Sequence, residues 1–325
     1  MQIWRSPLRF LLLPFAAIFA SLAWMRRTAY RRGLLQSTKL PVPVLIVGNI
    51  TAGGTGKTPL VAFLAQALAE RGYAPGILSR GYGGKAVGAI PVDASSRPEI
   101  VGDEPVLLAK RGFPVWVGKK RGEAGKALLA AHPECDILIC DDGLQHYALS
   151  RNFEIAVIDG KTGLGNGLPL PAGPLREPPS RLKNVDAIVL NGGGFEFKNA
   201  VPSFEMRLCG DRFINVDQPG LSAGAGDFSG KRIHAIAGIG NPQRFFDHLS
   251  ALGLQFISHP FPDHHPYSRQ DLEFDACDIL LMTEKDAIKC IGFAPGKCWF
   301  LQVNAEIDLA LVELIVKTIG KSHGS

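Results

Sequence analysis

The sequence predicts an α/β protein with a mostly parallel sheet and flanking helices, followed by a smaller C-terminal α/β domain. Short apolar runs, such as VPVLIVG (42–48) and CDILICDD (135–142), alternate with stretches of helical periodicity. Strands that alternate with helices in this way usually pair in parallel and are covered on both faces. The first run also ends in a glycine-rich turn that opens a helix, which is typical of the same fold class.

The remaining elements follow in regular order. Helices are predicted over 57–72 and 119–132, and further strands in APGILS, FPVWVG, FEIAVID and VDAIVLN. A second α/β series begins near Lys231 and ends in a helix over 307–319. The second series indicates a second hydrophobic core.

The length of the chain also indicates more than one domain. A single core seldom grows beyond about 250–300 residues, and this chain has 325. We expect an N-terminal helix in residues 1–35, a first α/β domain in 36–215 and a second in 216–325. Residues 160–182 are rich in Gly and Pro, so they fit neither a long helix nor a central strand. A long structured loop of this kind is usually functional.

Composition and charge narrow the possible partners. Hydrophobic residues make up 46% of the chain and charged residues 20%, as in an ordinary globular protein. The formal net charge of +5 arises at the N-terminus, where seven Lys and Arg residues precede Lys57 and the first acidic residue is Glu70. Because these basic residues flank an apolar run, they favour an anionic membrane surface over nucleic acid. Six cysteines form no CxxC pair, which is typical of reduced thiols in the cytosol.

The N-terminal apolar run covers residues 10–25, between Arg9 and Arg26, and contains no charge. As a helix it would be about 24 Å long, whereas a helix that spans a bilayer normally has ~20 residues and is about 30 Å long. A helix lying in the membrane interface, anchored by Trp4, Trp24 and the following arginines, is the preferred interpretation. A spanning helix, a signal peptide and a packed soluble helix remain alternatives.

Residues 51–58 read TAGGTGKT and predict a phosphate-binding loop. In such a loop, backbone N–H groups and the N-terminus of the next helix surround the phosphates. Lys57 would contact the β- and γ-phosphates of ATP, and Thr58 would bind Mg²⁺. The strict pattern begins with glycine where this chain has Thr51, although three glycines remain in the turn. The predicted loop residues are Thr51, Ala52, Gly53, Gly54, Thr55, Gly56, Lys57 and Thr58.

A phosphate-binding loop also needs a carboxylate for Mg²⁺ at the end of another strand. Asp141 and Asp142 close the apolar run at 135–142 and are the candidates. We expect one of them to bind the ion directly and the other to act through water or as a supporting residue. A solvated turn is the alternative, which Lys57 and Thr58 in the same chain make less attractive.

Proteins with this loop include kinases, GTPases and ATPases that act as switches. The segment TEKD at 283–286 is close to the guanine-binding element of GTPases, but its lysine stands one place late. A kinase needs a base near the acceptor hydroxyl, and Asp103 in GDEP is a candidate. An aspartate before a helix can equally be an N-cap. His264 and His265 in FPDHHPY could support such a base, bind a metal or form a plain turn.

Together the motifs resemble the tetraacyldisaccharide 4′-kinase family of the lipid A pathway in Gram-negative bacteria. The matching stretches are VGNITAGGTGKTP, LSRGYGG, VGDEP, VGKKR, DDGLQH, LPAGPLREP and FPDHHPY. Each is short, but their order and spacing make the combination specific. The resemblance extends from the N-terminal helix to TEKD, and the family shares Thr in place of the first loop glycine.

The resemblance implies a reaction and a location. ATP would phosphorylate the 4′-hydroxyl of a tetraacylated glucosamine disaccharide 1-phosphate and give lipid IVA. The enzyme would sit on the cytoplasmic face of the inner membrane as a peripheral protein. Its partners would be the lipid substrate and an anionic membrane surface, and we expect a monomer that binds no nucleic acid. The alternative is a membrane-associated P-loop ATPase that acts as a switch or partition factor, with a protein partner and no acceptor.

The resemblance also implies residue roles. Asp103 would accept the proton of the sugar hydroxyl, and His264, which directly follows Asp263, would support it. The implied catalytic residues are Asp103, His264, Lys57, Arg80 and Arg121; Gln145 and His146 would join the nucleotide site; and Thr58, Asp141 and Asp142 would bind Mg²⁺.

Overall fold

The computed structural model describes Trp4 and residues 6–195 and 200–320. Its strands are β1 (Val44–Gly48), β2 (Pro75–Ser79), β3 (Ile90–Val92), β4 (Val115–Val117), β5 (Ile137–Asp141), β6 (Phe153–Asp159), β7 (Ala187–Asn191), β8 (Ser203–Cys209), β9 (Arg212–Asn215), β10 (Ser222–Gly224), β11 (Ile233–Ala237), β12 (Phe256–Pro260), β13 (Ile279–Thr283), β14 (Cys298–Leu301) and β15 (Asn304–Ile307). Its α-helices are α1 (Leu13–Arg31), α2 (Lys57–Ala69), α3 (Pro98–Val101), α4 (Asp103–Lys110), α5 (Arg121–Ala131), α6 (Pro242–Ala251), α7 (Glu284–Cys290) and α8 (Ala310–Gly320).

The larger sheet has the strand order β15-β8-β7-β6-β1-β5-β2-β4-β3 within the described residues. Its inner strands pair in parallel, whereas β3 and β15 are antiparallel edge strands. Every residue of β1 and β5 is buried, as expected for strands covered on both faces. The predicted α/β fold with a mostly parallel sheet is confirmed.

Helices on both faces of this sheet form its two hydrophobic cores. On one face, α2 buries Leu60, Leu64 and Leu68 completely against the sheet. Burying a leucine side chain stabilises the fold by about 1.5–3 kcal/mol. On the other face, α5 buries Leu128 in the second core. Packing on both faces fixes the central strands and the loops that leave them.

The second sheet has the order β10-β9-β14-β13-β11-β12 in the part of the chain that the structure describes. It covers residues 212–301, and α6 and α7 accompany it. The chain then returns to the first sheet, because β15 pairs with β8 and α8 buries Leu311 and Ile315 in the first core. The expected division at residue 216 therefore differs from the structure: residues 304–320 lie with the first sheet.

The N-terminal segment forms a 3₁₀ turn over Pro7–Leu12 and then α1. Within the described residues, the stretch Arg9–Arg31 is long and apolar enough to cross a membrane, with a mean hydropathy of 1.4, and only 6% of its most apolar part is buried. A signal sequence would pass the same test of length and composition. The helix continues beyond the apolar run that the sequence marks, into the arginine cluster.

The Gly/Pro-rich segment 160–182 forms no long helix and no strand, as predicted, although a 3₁₀ helix (Pro179–Asn184) begins near its end. Buried polar contacts hold it in place. Arg181, which is 3% exposed, donates to Glu154 at 2.6 Å. The hydroxyl of Tyr147 donates to Glu177 at 2.5 Å. These contacts hold the segment beside the residues that follow β5.

Candidate active site

The phosphate-binding loop lies between the end of β1 and the start of α2. Gly56, directly before α2, has a φ of +87°, in the left-handed region that favours glycine. A Cβ on Gly56 would lie 2.3 Å from Nδ2 of Asn191, which donates to the carbonyl of Thr55 at 2.9 Å. The end of β7 therefore fixes the turn that opens α2.

Thr51 stands where the strict loop pattern has glycine. It is buried, it forms an isolated antiparallel bridge with Leu175, and it is not among the described residues with positive φ. The N–H of Ala52 donates to the carbonyl of Pro174 at 2.7 Å. Position 51 therefore needs no glycine, because its backbone is paired with the segment 160–182 and has an ordinary φ.

Lys57 reaches the acidic pair directly. Its Nζ lies 3.4 Å from Oδ1 of Asp142 and donates to Oδ1 of Asn49 at 3.3 Å. Arg176 donates to Asp142 at 3.1 Å. Burial acts to raise the pKa of Asp142, but Lys57 and Arg176 outweigh it and lower that pKa. Asp142 is therefore ionised and already paired with two cations.

Asp141 has a different environment, although it is the adjacent residue. It is 1% exposed, and neither carboxylate oxygen has a hydrogen-bond partner among the described residues. Burial, followed by the nearby charge of Glu104, raises the pKa of Asp141 to about 7. A buried carboxylate without donors is stabilised by a cation placed beside it.

The acidic pair and Thr58 could hold a divalent ion with the help of phosphates. No group of three or more His, Cys, Asp or Glu side chains forms a metal site within residues 6–195 and 200–320. Mg²⁺ normally uses one or two carboxylates together with waters and substrate phosphates. The partnerless Asp141 fits a direct ligand better than Asp142, because Asp142 is already paired.

Asp103 and His264 meet across the two domains. Asp103 is the first residue of α4 and is buried, and its Oδ2 lies 3.2 Å from Nδ1 of His264. His264 has a φ of +60°, an uncommon backbone conformation that aims its ring at α4. His265 instead lies 3.5 Å from Asp271. The structure therefore pairs Asp103 with His264 and not with His265.

The contact sets the charge of both groups. Burial acts to raise the pKa of Asp103, but the hydrogen bond with His264 and the charge of Lys285 outweigh it and hold that pKa at about 2. The same hydrogen bond raises the pKa of His264 above its ordinary value of 6.5. Gly102 occupies the N-cap position of α4, while Asp103 accepts the Glu104 N–H at 3.0 Å. One carboxylate oxygen is thus fixed by the helix, and the other faces His264.

A cleft of about 1000 Å³ lies between the two domains. The phosphate-binding loop, Arg80 and Asp142 line it on one side, and His264 and the turn after β11 line it on the other. A Cβ on Gly240 in that turn would lie 3.0 Å from the backbone N of Gly54. The second domain therefore approaches the phosphate-binding loop directly.

Arg121, Gln145 and His146 do not line this cleft. The guanidinium of Arg121 donates to the carbonyl of Asp142 at 3.4 Å and lies 3.5 Å from Nδ1 of His146. Gln145 donates to the carbonyl of Asn49 at 3.0 Å. Burial, followed by the charge of Arg121, lowers the pKa of His146 to about 4, so the ring is neutral. Arg121 and Gln145 thus hold the backbone that carries the acidic pair and the start of the loop, and the His146 ring contacts Arg121.

Three residues at the site were not predicted from the sequence. Arg176 binds Asp142, Asn191 supports the loop, and Lys285 binds Glu104. Arg176 and Lys285 lie in the motifs LPAGPLREP and TEKD. The sequence marked both motifs but indicated no role for these two residues. Asn191 ends an apolar strand, where polar side chains commonly enter sites in parallel sheets.

This geometry defines the class of the protein. The loop, Lys57 and the acidic pair stand where a P-loop fold receives the phosphates of a nucleotide, and the cleft leaves room for a second substrate. The chain is a P-loop enzyme with a two-domain cleft.

The chain belongs to the LpxK family, tetraacyldisaccharide-1-P 4′-kinase, whose sequence model matches residues 8–320. The tetraacyldisaccharide 4′-kinase of Methylobacillus flagellatus is 53% identical over 307 residues, which cover 94% of this chain and 90% of that protein. The same enzyme from Dechloromonas aromatica is 53% identical over 318 residues, covering 97% and 94%. The family resemblance is confirmed.

A solved structure shares the fold. LpxK from Aquifex aeolicus, crystallised in complex with ATP, is 32% identical, with a TM-score of 0.83. The similarity covers 96% of this chain and 99% of that chain. The P-loop fold class is therefore confirmed over both domains.

We expect Gly56→Ala to weaken nucleotide binding by about 100-fold or more, because the new Cβ would clash with Asn191 and strain a left-handed residue. Titration with a fluorescent ATP analogue would measure this loss. Gly220→Ala is the control, since Gly220 has open space around it. Equal binding by both variants would contradict the assigned loop geometry.

Proposed function

We propose that this protein transfers the γ-phosphate of ATP to the 4′-hydroxyl of a tetraacylated glucosamine disaccharide 1-phosphate, giving lipid IVA. Membership of the tetraacyldisaccharide-1-P 4′-kinase family supports this acceptor. The observation that carries the proposal is the 3.2 Å contact of Asp103 with His264 beside the phosphate-binding cleft. A nucleotide switch has no acceptor hydroxyl to deprotonate, whereas a kinase uses such a base.

Asp103 is the group that accepts the acceptor proton. Its carboxylate is ionised, and only one of its oxygens is used by the backbone of α4. His264 orients the other oxygen and can share the positive charge that balances it. Since phosphoryl transfer needs little covalent help, the precise placement of this base is a main contribution of the protein.

Cations stabilise the charge on the transferred phosphate. Lys57 and Arg80 line the cleft, and the N-terminus of α2 presents its backbone N–H groups to the same space. Lys57 now pairs with Asp142, so bound phosphates would compete for it. Arg121 acts indirectly, by holding the carbonyl of Asp142.

Mg²⁺ completes the site in our proposal. Thr58 and Asp141 would hold it, with Asp142 as a supporting carboxylate, and Asp141 has the buried, partnerless oxygens that a cation would satisfy. When bound, Mg²⁺ would supply positive charge that offsets part of the negative charge of the ATP phosphates.

Helix α1 would dock the enzyme on the membrane. Along α1 and the 3₁₀ turn before it, apolar residues repeat every three or four positions, and each is at least 49% exposed: Leu11, Phe15, Ile18, Leu22 and Met25. This spacing places them on one face of the segment. A soluble protein rarely exposes such a continuous apolar stripe. We therefore assign this face to the bilayer, with the enzyme peripheral on the cytoplasmic face of the inner membrane.

The opposite side of α1 faces the active site. Arg27 lies 3.8 Å from Glu177, and the Tyr30 and Tyr147 rings are 6.2 Å apart. A second cavity of about 370 Å³ lies between α1 and the segment 160–182. Arg176 lines both this cavity and the interdomain cleft. The disaccharide headgroup would pass from the membrane to Asp103 along this side while its acyl chains remain in the lipid.

We expect wild-type protein to transfer ³²P from ATP to the tetraacylated disaccharide 1-phosphate in detergent micelles, and Asp103→Ala to lower kcat by about 10²–10⁴-fold. Asp93→Ala is the control, because Asp93 lies on an exposed turn. Transfer that survives Asp103→Ala would remove Asp103 as the base. ATP hydrolysis without transfer would favour the membrane-associated ATPase.

We expect kcat to rise with pH through the pKa of His264, above pH 6.5. Below this pKa the imidazolium pairs with Asp103 and weakens it as a base, and above it the neutral ring leaves Asp103 more basic. Assays at saturating substrate from about pH 6 to about pH 9 would measure this limb. His264→Gln should lower kcat and remove the limb; a limb that persists in that variant would contradict the assignment.

Deletion of residues 1–35 should weaken recovery on anionic vesicles far more than it weakens ATP binding, because it removes the apolar face and the arginine cluster. Cosedimentation and nucleotide titration would measure the two effects. Replacing Phe15, Ile18 and Leu22 with Ser keeps the protein-facing side of α1 and should also lower recovery. Unchanged vesicle recovery of both variants would refute membrane docking through α1.

A further inference from the structure

The segment Thr283–Asp286 covers the end of β13 and the start of α7, and it contacts residues next to or bonded to both members of the Asp103–His264 pair. Asp286 is fully buried, with 0% of its surface exposed. Its Oδ2 accepts the hydroxyl of Thr283 at 2.6 Å and the backbone N–H of Gly238 at 3.0 Å. Its Oδ1 lies 2.9 Å from Nζ of Lys289. The carboxylate therefore ties the start of α7 to the turn after β11.

The same turn holds His264. The carbonyl of Gly238 accepts the backbone N–H of His264 at 3.1 Å. A Cβ on Gly238 would lie 2.8 Å from the hydroxyl oxygen of Tyr267 and 3.2 Å from Oδ1 of Asp286. The space around this glycine is thus filled, so a shift of Asp286 would displace the backbone that carries His264.

Lys285 contacts the other member of the pair through α4. Its Nζ forms a short ion pair with Glu104, the residue after Asp103. A second ion pair joins the same two helices, between Arg111 and Glu284 at 3.4 Å. Helix α4 is therefore fixed to α7 at two points, and the nearer one is adjacent to Asp103.

We propose that Asp286 and Lys285 are positioning residues, which align His264 of the second domain with Asp103 of the first. Asp286 sets the His264 turn, and Lys285 sets the start of α4. Neither needs to contact the acceptor. The proposal rests on the proposed function only for its kinetic readouts, because the alignment itself can be measured without any reaction.

The test that needs no activity follows the imidazole of His264 by NMR. Charged or titratable groups facing this ring are Asp103 from α4, Asp263 from its own loop, Lys285 from α7 and Tyr82, whose ring centroid lies 5.3 Å from that of His264. Asp286→Asn leaves all of them in place but turns an amide donor toward either Lys289 or the Gly238 N–H. If the hydrogen bond between His264 and Asp103 loosens, the pKa of His264 should fall toward 6.5. The imidazole signal of His264 is identified as the one that disappears in His264→Gln.

The kinetic test asks whether Asp286 acts through His264. Asp286→Asn should lower kcat by about 10- to 100-fold and leave the KM for ATP nearly unchanged. In a His264→Gln background the same substitution should have little further effect on kcat, since the residue through which it acts is already gone. Lys285→Met should lower kcat similarly, and Lys285→Arg should restore most of it by keeping the pair with Glu104.

Asn215→Ala is the matched control for general destabilisation of the second domain. Asn215 is buried and bonds the carbonyl of Gly296 and the N–H groups of Asp217 and Gln218. The Asn215→Ala substitution should lower Tm and leave both kcat and the pKa of His264 unchanged. If Asp286→Asn does not fold, Thr283→Val keeps the carboxylate of Asp286 and removes the Thr283 hydroxyl, which donates to that carboxylate and accepts the Asp286 backbone N–H at 3.2 Å.

An unchanged pKa of His264 and unchanged kcat in Asp286→Asn or Thr283→Val would overturn the proposal. An equal loss of kcat from Asp286→Asn in the wild-type and His264→Gln backgrounds would also overturn it, because it would indicate a purely structural role. A wild-type protein without transfer activity would instead refute the proposed function, and the NMR titration would still decide the alignment.

Discussion

The parallel pairing of β1 with β5 is the contact on which the active site depends. Their register sets Val47 beside Asp141, and both strands end at the same edge of the sheet. The residues that follow the two strands therefore meet, and Lys57 comes within 3.4 Å of Asp142. Both strands are buried on both faces, so a slip by one residue would exchange their side chains between two close-packed cores.

The second domain is inserted into the edge of the same sheet. The chain leaves the sheet after β8 and returns as β15, and these two strands pair with Cys209 opposite Asn304. Both ends of the insertion are therefore fixed close together. Contacts of α4 with α7 then join the two domains away from these connections. This arrangement brings His264 into contact with Asp103 and leaves a cleft between the two domains.

The charges at the site are arranged so that each has a different role. Asp142 is compensated by Lys57 and Arg176, whereas the adjacent Asp141 is buried and has no hydrogen-bond donor in the part of the chain that the structure describes. The Asp103 carboxylate is compensated by His264 from the other domain. Because a buried charge without a partner is costly, the pKa of Asp141 is raised, whereas the pKa values of the compensated Asp103 and Asp142 are lowered.

The sequence alone determined the fold class, the phosphate-binding loop, the acidic pair and the family. These are local signals: the apolar runs have strand length, and the loop needs its glycines, Lys57 and Thr58 within one turn. The family resemblance favoured His264 over His265, and the tertiary structure brings His264 to within 3.2 Å of Asp103. Only the tertiary structure decided that Gln145 and Arg121 hold the backbone behind the site. It also placed β15 and α8 with the first sheet. Such contacts join residues far apart in the chain, and packing, rather than any local pattern, selects them.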